Sequence, residues 1–159
     1  VIYEAALNEY APLGTEASVT NTATVSGTGI TPVTAAETVN AEAAPNLAIT
    51  KSVSPVPVTE NGTLTYTFRI QNYGSVAATN TTGVVITDTF APVLNNLTAA
   101  LNGTAWTAAT DYTYNEATGT FSSTAGAITV PAATYTQDST TGAWVVTPGE
   151  STLVITGTV

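Results

Sequence analysis

Short runs in which apolar and polar residues alternate one by one, broken repeatedly by Asn-Gly, Thr-Gly and Pro-Gly pairs, confine this chain to antiparallel sheet. Leu64-Thr65-Tyr66-Thr67-Phe68-Arg69-Ile70 is the cleanest such run. Val19–Val25, Leu47–Val53 and Val84–Phe90 repeat the pattern, and 111–114, 119–123, 127–130, 143–147 and 152–159 are further candidates. Strand side chains point to opposite faces in turn, so a period of two marks a strand with one buried face. Asn61-Gly62, Asn72-Tyr73-Gly74, Asn102-Gly103, Thr118-Gly119, Thr141-Gly142 and Pro148-Gly149 supply the turns between the runs. Many short strands at this spacing predict a sandwich or barrel. Pro55 and Pro57 lack the N–H that a central ladder needs, so the Leu47–Val53 strand ends or changes sheets there. No segment has helical periodicity. The Ala-rich stretch 33–44 has no large apolar stripe and runs into Pro45, which reads as an extended connector or an edge strand. Segment 1–10 fits either a strand and turn or one helical turn.

Hydrophobic residues make up 43% of the 159, enough for a core, while charged residues are only 8%. The net charge is −9, and Lys51 and Arg69 are the only cations. Two cations cannot neutralise a phosphate backbone, which excludes nucleic-acid binding, and they argue against anionic membrane surfaces. No apolar run is long enough to span a bilayer as a helix, so no membrane insertion is expected, and no signal peptide is visible. Cysteine and histidine are absent. Disulfides and thiolate metal sites are therefore excluded, as are Ser-His-Asp and Cys-His nucleophilic sites.

The alternation places three polar residues on apolar faces. Leu47, Ile49 and Val53 share their face with Lys51; Val84, Ile86 and Phe90 share theirs with Asp88; Val19, Ala23 and Val25 share theirs with Asn21. An isolated charge is costly to bury. Burial favours the neutral forms of an amine and a carboxyl. A neutral lysine beside an asparagine amide and a protonated aspartic acid has the groups for a spontaneous isopeptide bond. The amine attacks the amide carbon, the acid shuttles protons and ammonia leaves. The structural alternative is a Lys51–Asp88 ion pair, with Asn21 hydrogen-bonded to backbone elsewhere. From the alternation both readings stand.

Four blocks, Asn21–Gly27 (NTATVSG), Leu47–Pro55 (LAITKSVSP), Gly62–Gly74 (GTLTYTFRIQNYG) and Val84–Phe90 (VVITDTF), resemble the prokaryotic surface repeat called domain-of-unknown-function-11. They span about half of the chain. The resemblance implies an immunoglobulin-like sandwich that occurs in tandem in large secreted or wall-attached proteins, with 95–147 as an insertion. In that family the Asn-Thr-Ala-Thr-Val block closes a repeat and the Lys block opens one. Here the closing block comes first. The resemblance therefore implies a unit cut out of phase: 1–44 closes a preceding repeat or donates a strand, and 45–159 forms a sandwich whose last strand comes from a neighbour. It extends to the isopeptide-forming sandwiches of pili and adhesins. There, Lys51 would match the first-strand lysine, Asn21 the last-strand asparagine and Asp88 the acid between them, within one unit or between units.

Other constellations are weaker. Glu4, Glu9, Glu16, Glu37, Glu42, Glu116 and Glu150 are scattered, which suits solubility better than paired-carboxylate hydrolysis. Asp111, Glu116 and Asp138 lack calcium-loop spacing, so no metal or other cofactor is expected. Trp106, Tyr112, Tyr114, Tyr135 and Trp144 suit either an adhesive patch or sheet packing. The Asn-x-Ser/Thr triplets at Asn61, Asn80, Asn96 and Asn102 are expected by chance in so Thr-rich a chain. The expected role is a non-enzymatic structural or assembly unit of an extracellular surface protein or fibre, with copies of itself as partners. The alternative is an adhesive module that binds a glycan or protein.

Overall fold

A computed structural model describes residues 4, 6, 8, 18–40 and 42–159. The described chain is all-β, and its one helical turn is a 3-10 segment at Asn80–Thr82. Five strands form the larger sheet in the order β3 (Leu47–Ser54), β4 (Thr63–Asn72), β12 (Gly149–Thr158), β6 (Asn95–Leu101) and β7 (Thr104–Ala105). A smaller sheet runs β5 (Thr87–Thr89), β9 (Thr120–Ser123) and β8 (Tyr112–Asn115). Two hairpins complete the set: β1 (Ser18–Gly27) with β2 (Ile30–Asn40), and β10 (Thr134–Gln137) with β11 (Trp144–Thr147). Every strand pairing is antiparallel.

The ladder between β4 and β12 sets the larger sheet. It pairs all ten residues of each strand, Thr63 with Thr158 through Asn72 with Gly149. Leu64, Tyr66, Phe68 and Ile70 of β4 are buried, as are Ser151, Leu153 and Ile155 of β12, while the residues between them turn outward. The smaller sheet and its flanking loops answer with Ile86, Phe90, Tyr112, Phe121, Ile128 and Val130, and one apolar cluster joins the two layers in a sandwich-like packing. Phe121, Ile128, Leu153 and Ile155 are wholly buried. The rings of Tyr66 and Phe90 meet across the layers with centroids 4.7 Å apart.

The alternating runs of the sequence become β1, β3, β4, β8, β9, β11 and β12. The Ala-rich stretch lies largely in β2, whose Pro32 is tolerable because a two-stranded hairpin has only edge strands. In Val84–Phe90 only Thr87–Thr89 pairs as a strand, yet the alternation survives: Ile86 and Phe90 are buried while Val85, Thr87 and Thr89 are exposed. Residues 127–130 form no strand; Val130 makes an isolated bridge to Ala78. Strand β6 lacks a clean period of two in its sequence and is recruited by β12. Segment 1–10 lies mostly outside the described residues, as do Glu9 and Glu16.

A turn signal proves to be a structural staple. Asn72 is fully buried. Its Oδ1 accepts from the backbone N–H of Asn46 and of Gly74, each at 2.9 Å. Its Nδ2 donates to the carbonyls of Val76 and Pro131 at 2.8 and 3.0 Å. All four hydrogen-bonding positions of the amide are thus used, tying the entry of β3 to the end of β4 and to the loop before β10. Gly74 is required beside it, because a Cβ there would collide with the backbone of Ala44 and Asn46. Asn72→Ala strands four backbone groups at once and is expected to cost about 3 kcal/mol in denaturant unfolding. Gln71→Ala, one residue away on the outward face, is the control and is expected within about 0.5 kcal/mol of wild type.

Candidate functional site

Among the described residues, strand β3 is the edge of the larger sheet. Its register with β4 sets Leu47 opposite Asn72, Ile49 opposite Ile70, Lys51 opposite Phe68 and Val53 opposite Tyr66. Cross-strand partners share a face, and the β4 partners are all buried, so this row points to the core side. Yet every residue of β3 is exposed, with Leu47 at 38%, Ile49 at 52% and Val53 at 39%. The larger sheet therefore has an uncovered margin. Beside it lies a shallow, largely apolar groove of about 180 Å³ between Leu47, Ile49 and Ile70 on one side and Val84 and Ile86 on the other.

Lys51 sits on this margin. Its Nζ donates to Asp88 Oδ2. It also lies over three rings, 4.8 Å from the centroid of Tyr66, 5.3 Å from Phe90 and 5.5 Å from Phe68. A cation over ring faces is attracted by their quadrupoles, most strongly where water is scarce. Asp88 comes from β5, and its other oxygen accepts from the Thr89 N–H at 2.9 Å. The carboxylate is thus held from behind while it faces the amine. The Asp88 side chain is 18% exposed and the Lys51 side chain 40%. The chain's other cation, Arg69, pairs across the outer face of the sheet with Glu150, a contact that holds the Glu150 carboxyl below the usual carboxylate range.

Two of the three residues singled out by alternation are therefore in contact, on the face the sequence assigned to them. The third is elsewhere. Asn21 lies on β1, exposed and opposite Glu37 of β2. The cage rings Tyr66 and Phe68 carried no functional signal, since aromatic residues in a strand read as core. Phe90 shared a face with Asp88 in the alternation and was the one available hint.

The other candidates disperse. Trp106 and Tyr112 are stacked with centroids 6.5 Å apart, and Tyr112 is buried, which raises its phenol pKa. The hydroxyl of Tyr114 donates to the Leu94 carbonyl and that of Tyr135 to the Tyr73 carbonyl. Those polar tips are already committed to backbone. Asp138 closes the β10–β11 turn by accepting from the N–H groups of Thr140 and Thr141, which holds its carboxyl below the usual range. Among the described residues no three Asp or Glu side chains cluster to hold a metal.

No family model, curated protein or solved structure matches the chain. The ion pair and its cage predict a measurable coupling. In a double-mutant cycle of Lys51→Met and Asp88→Asn, followed by denaturant unfolding, the interaction is expected to be about 1 kcal/mol. A coupling indistinguishable from zero would mean that water screens the pair completely.

Proposed function

We propose that this chain is a structural unit of an extracellular surface protein or fibre, an immunoglobulin-like sandwich completed by a strand from a neighbouring unit. The observation that carries the proposal is the uncovered core-side row of β3. Leu47, Ile49 and Val53 stand half-exposed along a strand edge with no partner strand beyond it among the described residues. An edge of that kind is a template for pairing, and its one charge, Lys51, is already met by Asp88. A neighbour's strand laid along β3 would both satisfy the edge and cover the row. The scarcity of charge, the absence of thiols and the resemblance to tandem surface repeats support the same role.

Lys51 and Asp88 supply the chemistry for a covalent lock on that strand. Asp88 Oδ2, already bonded to Nζ, is placed to take a proton from the amine. With the proton on Asp88, the Nζ lone pair can attack the side-chain amide carbon of an asparagine brought against it, for which Asn21 is the candidate. The new bond is Nζ–Cγ, the bond broken is Cγ–Nδ2, and ammonia leaves with the proton passed on by Asp88. Three rings line the amine, whose side chain is still 40% exposed, and a strand laid over the groove would exclude water from it.

Two measurements test the role. The purified chain is expected to associate with rising concentration in sedimentation velocity. After boiling in denaturant, it is expected to lose one ammonia per unit, with a branched peptide joining Lys51 to Asn21. Asp88→Ala should abolish the branch. An unmodified mass with free Lys51 in associated material would remove the covalent lock but leave the assembly role. A chain that stays monomeric at every concentration would remove both.

A further inference from the structure

The β1–β2 hairpin carries a second uncovered surface. Its register pairs Val19 with Val39, Asn21 with Glu37, Ala23 with Ala35 and Val25 with Val33. Cross-strand partners share a face. One face of the hairpin is therefore six small apolar residues around a central Asn21–Glu37 pair. The opposite face carries Thr20 with Thr38, whose hydroxyls are hydrogen-bonded at 2.8 Å, and Thr24 with Thr34. Among the described residues β1 and β2 pair only with each other, and every residue of both is exposed. Val25, Val33 and Val39 are each about two-thirds exposed. A lone two-stranded hairpin is marginal in water, and an apolar face on it is unstable without a cover.

We infer that the apolar face of the β1–β2 hairpin of a second copy docks on the open margin of β3, with Asn21 and Glu37 seated at Lys51. The inference rests on the assembly role and names the segment that fills it. Two matches carry it. The first is pattern. The β3 row is apolar except for Lys51, and the β1 row is apolar except for Asn21. Aligning the two polar positions antiparallel sets Val19, Ala23 and Val25 against Val53, Ile49 and Leu47. Aligning them parallel sets Val19 and Ala23 against Ile49 and Val53. In either direction apolar meets apolar, whereas a slip of one residue would turn the apolar row outward. The second match is charge. Lys51 is the only charged residue of β3, and Glu37 is the only charged residue of β1 and β2. They fall at the same point of the aligned surfaces. Covering the Lys51 ammonium leaves it protons to donate beyond the one Asp88 accepts. The Asn21 carbonyl oxygen and the Glu37 carboxylate are acceptors at that point.

Because the hairpin and the margin are different surfaces, each copy can offer one and receive the other. Such a head-to-tail contact propagates into chains or rings. That allows a test by complementation. Val25→Asp spoils the hairpin, and Ile49→Asp spoils the margin. Both residues are exposed in the single chain, so circular dichroism and thermal melting should show each variant folded. Each variant alone is expected to associate at least tenfold more weakly than wild type in sedimentation velocity. Mixed together, they retain one intact hairpin and one intact margin, and are expected to form a one-to-one complex that grows no further. Glu37→Lys is expected to weaken association several-fold and to reduce its salt dependence.

Wild-type association that is indifferent to Val25→Asp and Glu37→Lys would overturn the docking while leaving the assembly role in place. A mixture that forms no complex, although each variant is folded, would overturn it as well. A strictly monomeric wild type whose melting temperature falls with Val25→Asp would mean that the hairpin closes on its own chain. That outcome would overturn the docking and the assembly role together.

Discussion

The pairing of β4 with β12 is the constraint on which the rest depends. Ten consecutive residue pairs lock two alternating strands together, so that Tyr66, Phe68, Ile70, Leu153 and Ile155 all face one way. β3 takes its register from one side of that ladder and β6 from the other. The smaller sheet then packs against the apolar face so made, through Phe90 and Phe121. The contact joins strands far apart in the sequence. Its loop-closure cost is recovered only when the whole face is buried, which makes the sandwich an all-or-none object.

The same register explains the candidate site. Once β4 is placed, β3 cannot turn Lys51 outward without turning Leu47, Ile49 and Val53 out with it. The lysine is therefore held on the core side whether or not that side is covered. Its charge is met by Asp88 from the smaller sheet and by three rings from both layers. Groups that would make burial of the lysine tolerable are thus already assembled around it.

Much of this was legible from alternation alone. Alternation puts Lys51 and Asp88 on apolar faces and leaves an ion pair and an isopeptide arrangement both open, and the two side chains meet in the fold as an ion pair. Other parts were not legible. Asn72 read as a turn residue because Asn-Tyr-Gly is turn chemistry, and nothing local reveals that its amide ties three segments together. Strand β6 has too irregular a pattern to identify by period, and pairs because β12 offers it an edge. Residues 84–86 alternate like a strand yet lie outside the ladder, and Ile86 is tied to β9 by a carbonyl that accepts from the Ser123 N–H and an N–H that donates to Ser123 Oγ.

By itself the sequence determined the all-β class and the faces of the principal strands. These follow from local chemistry, which a period of two and a residue inventory report faithfully. Tertiary structure alone decided that β3 is an edge among the described residues, that its apolar row is left exposed beside Val84 and Ile86, and that Lys51 meets Asp88 among three rings while Asn21 lies on a separate hairpin. Which strand ends a sheet depends on the order in which distant segments pair, and no local pattern encodes that order.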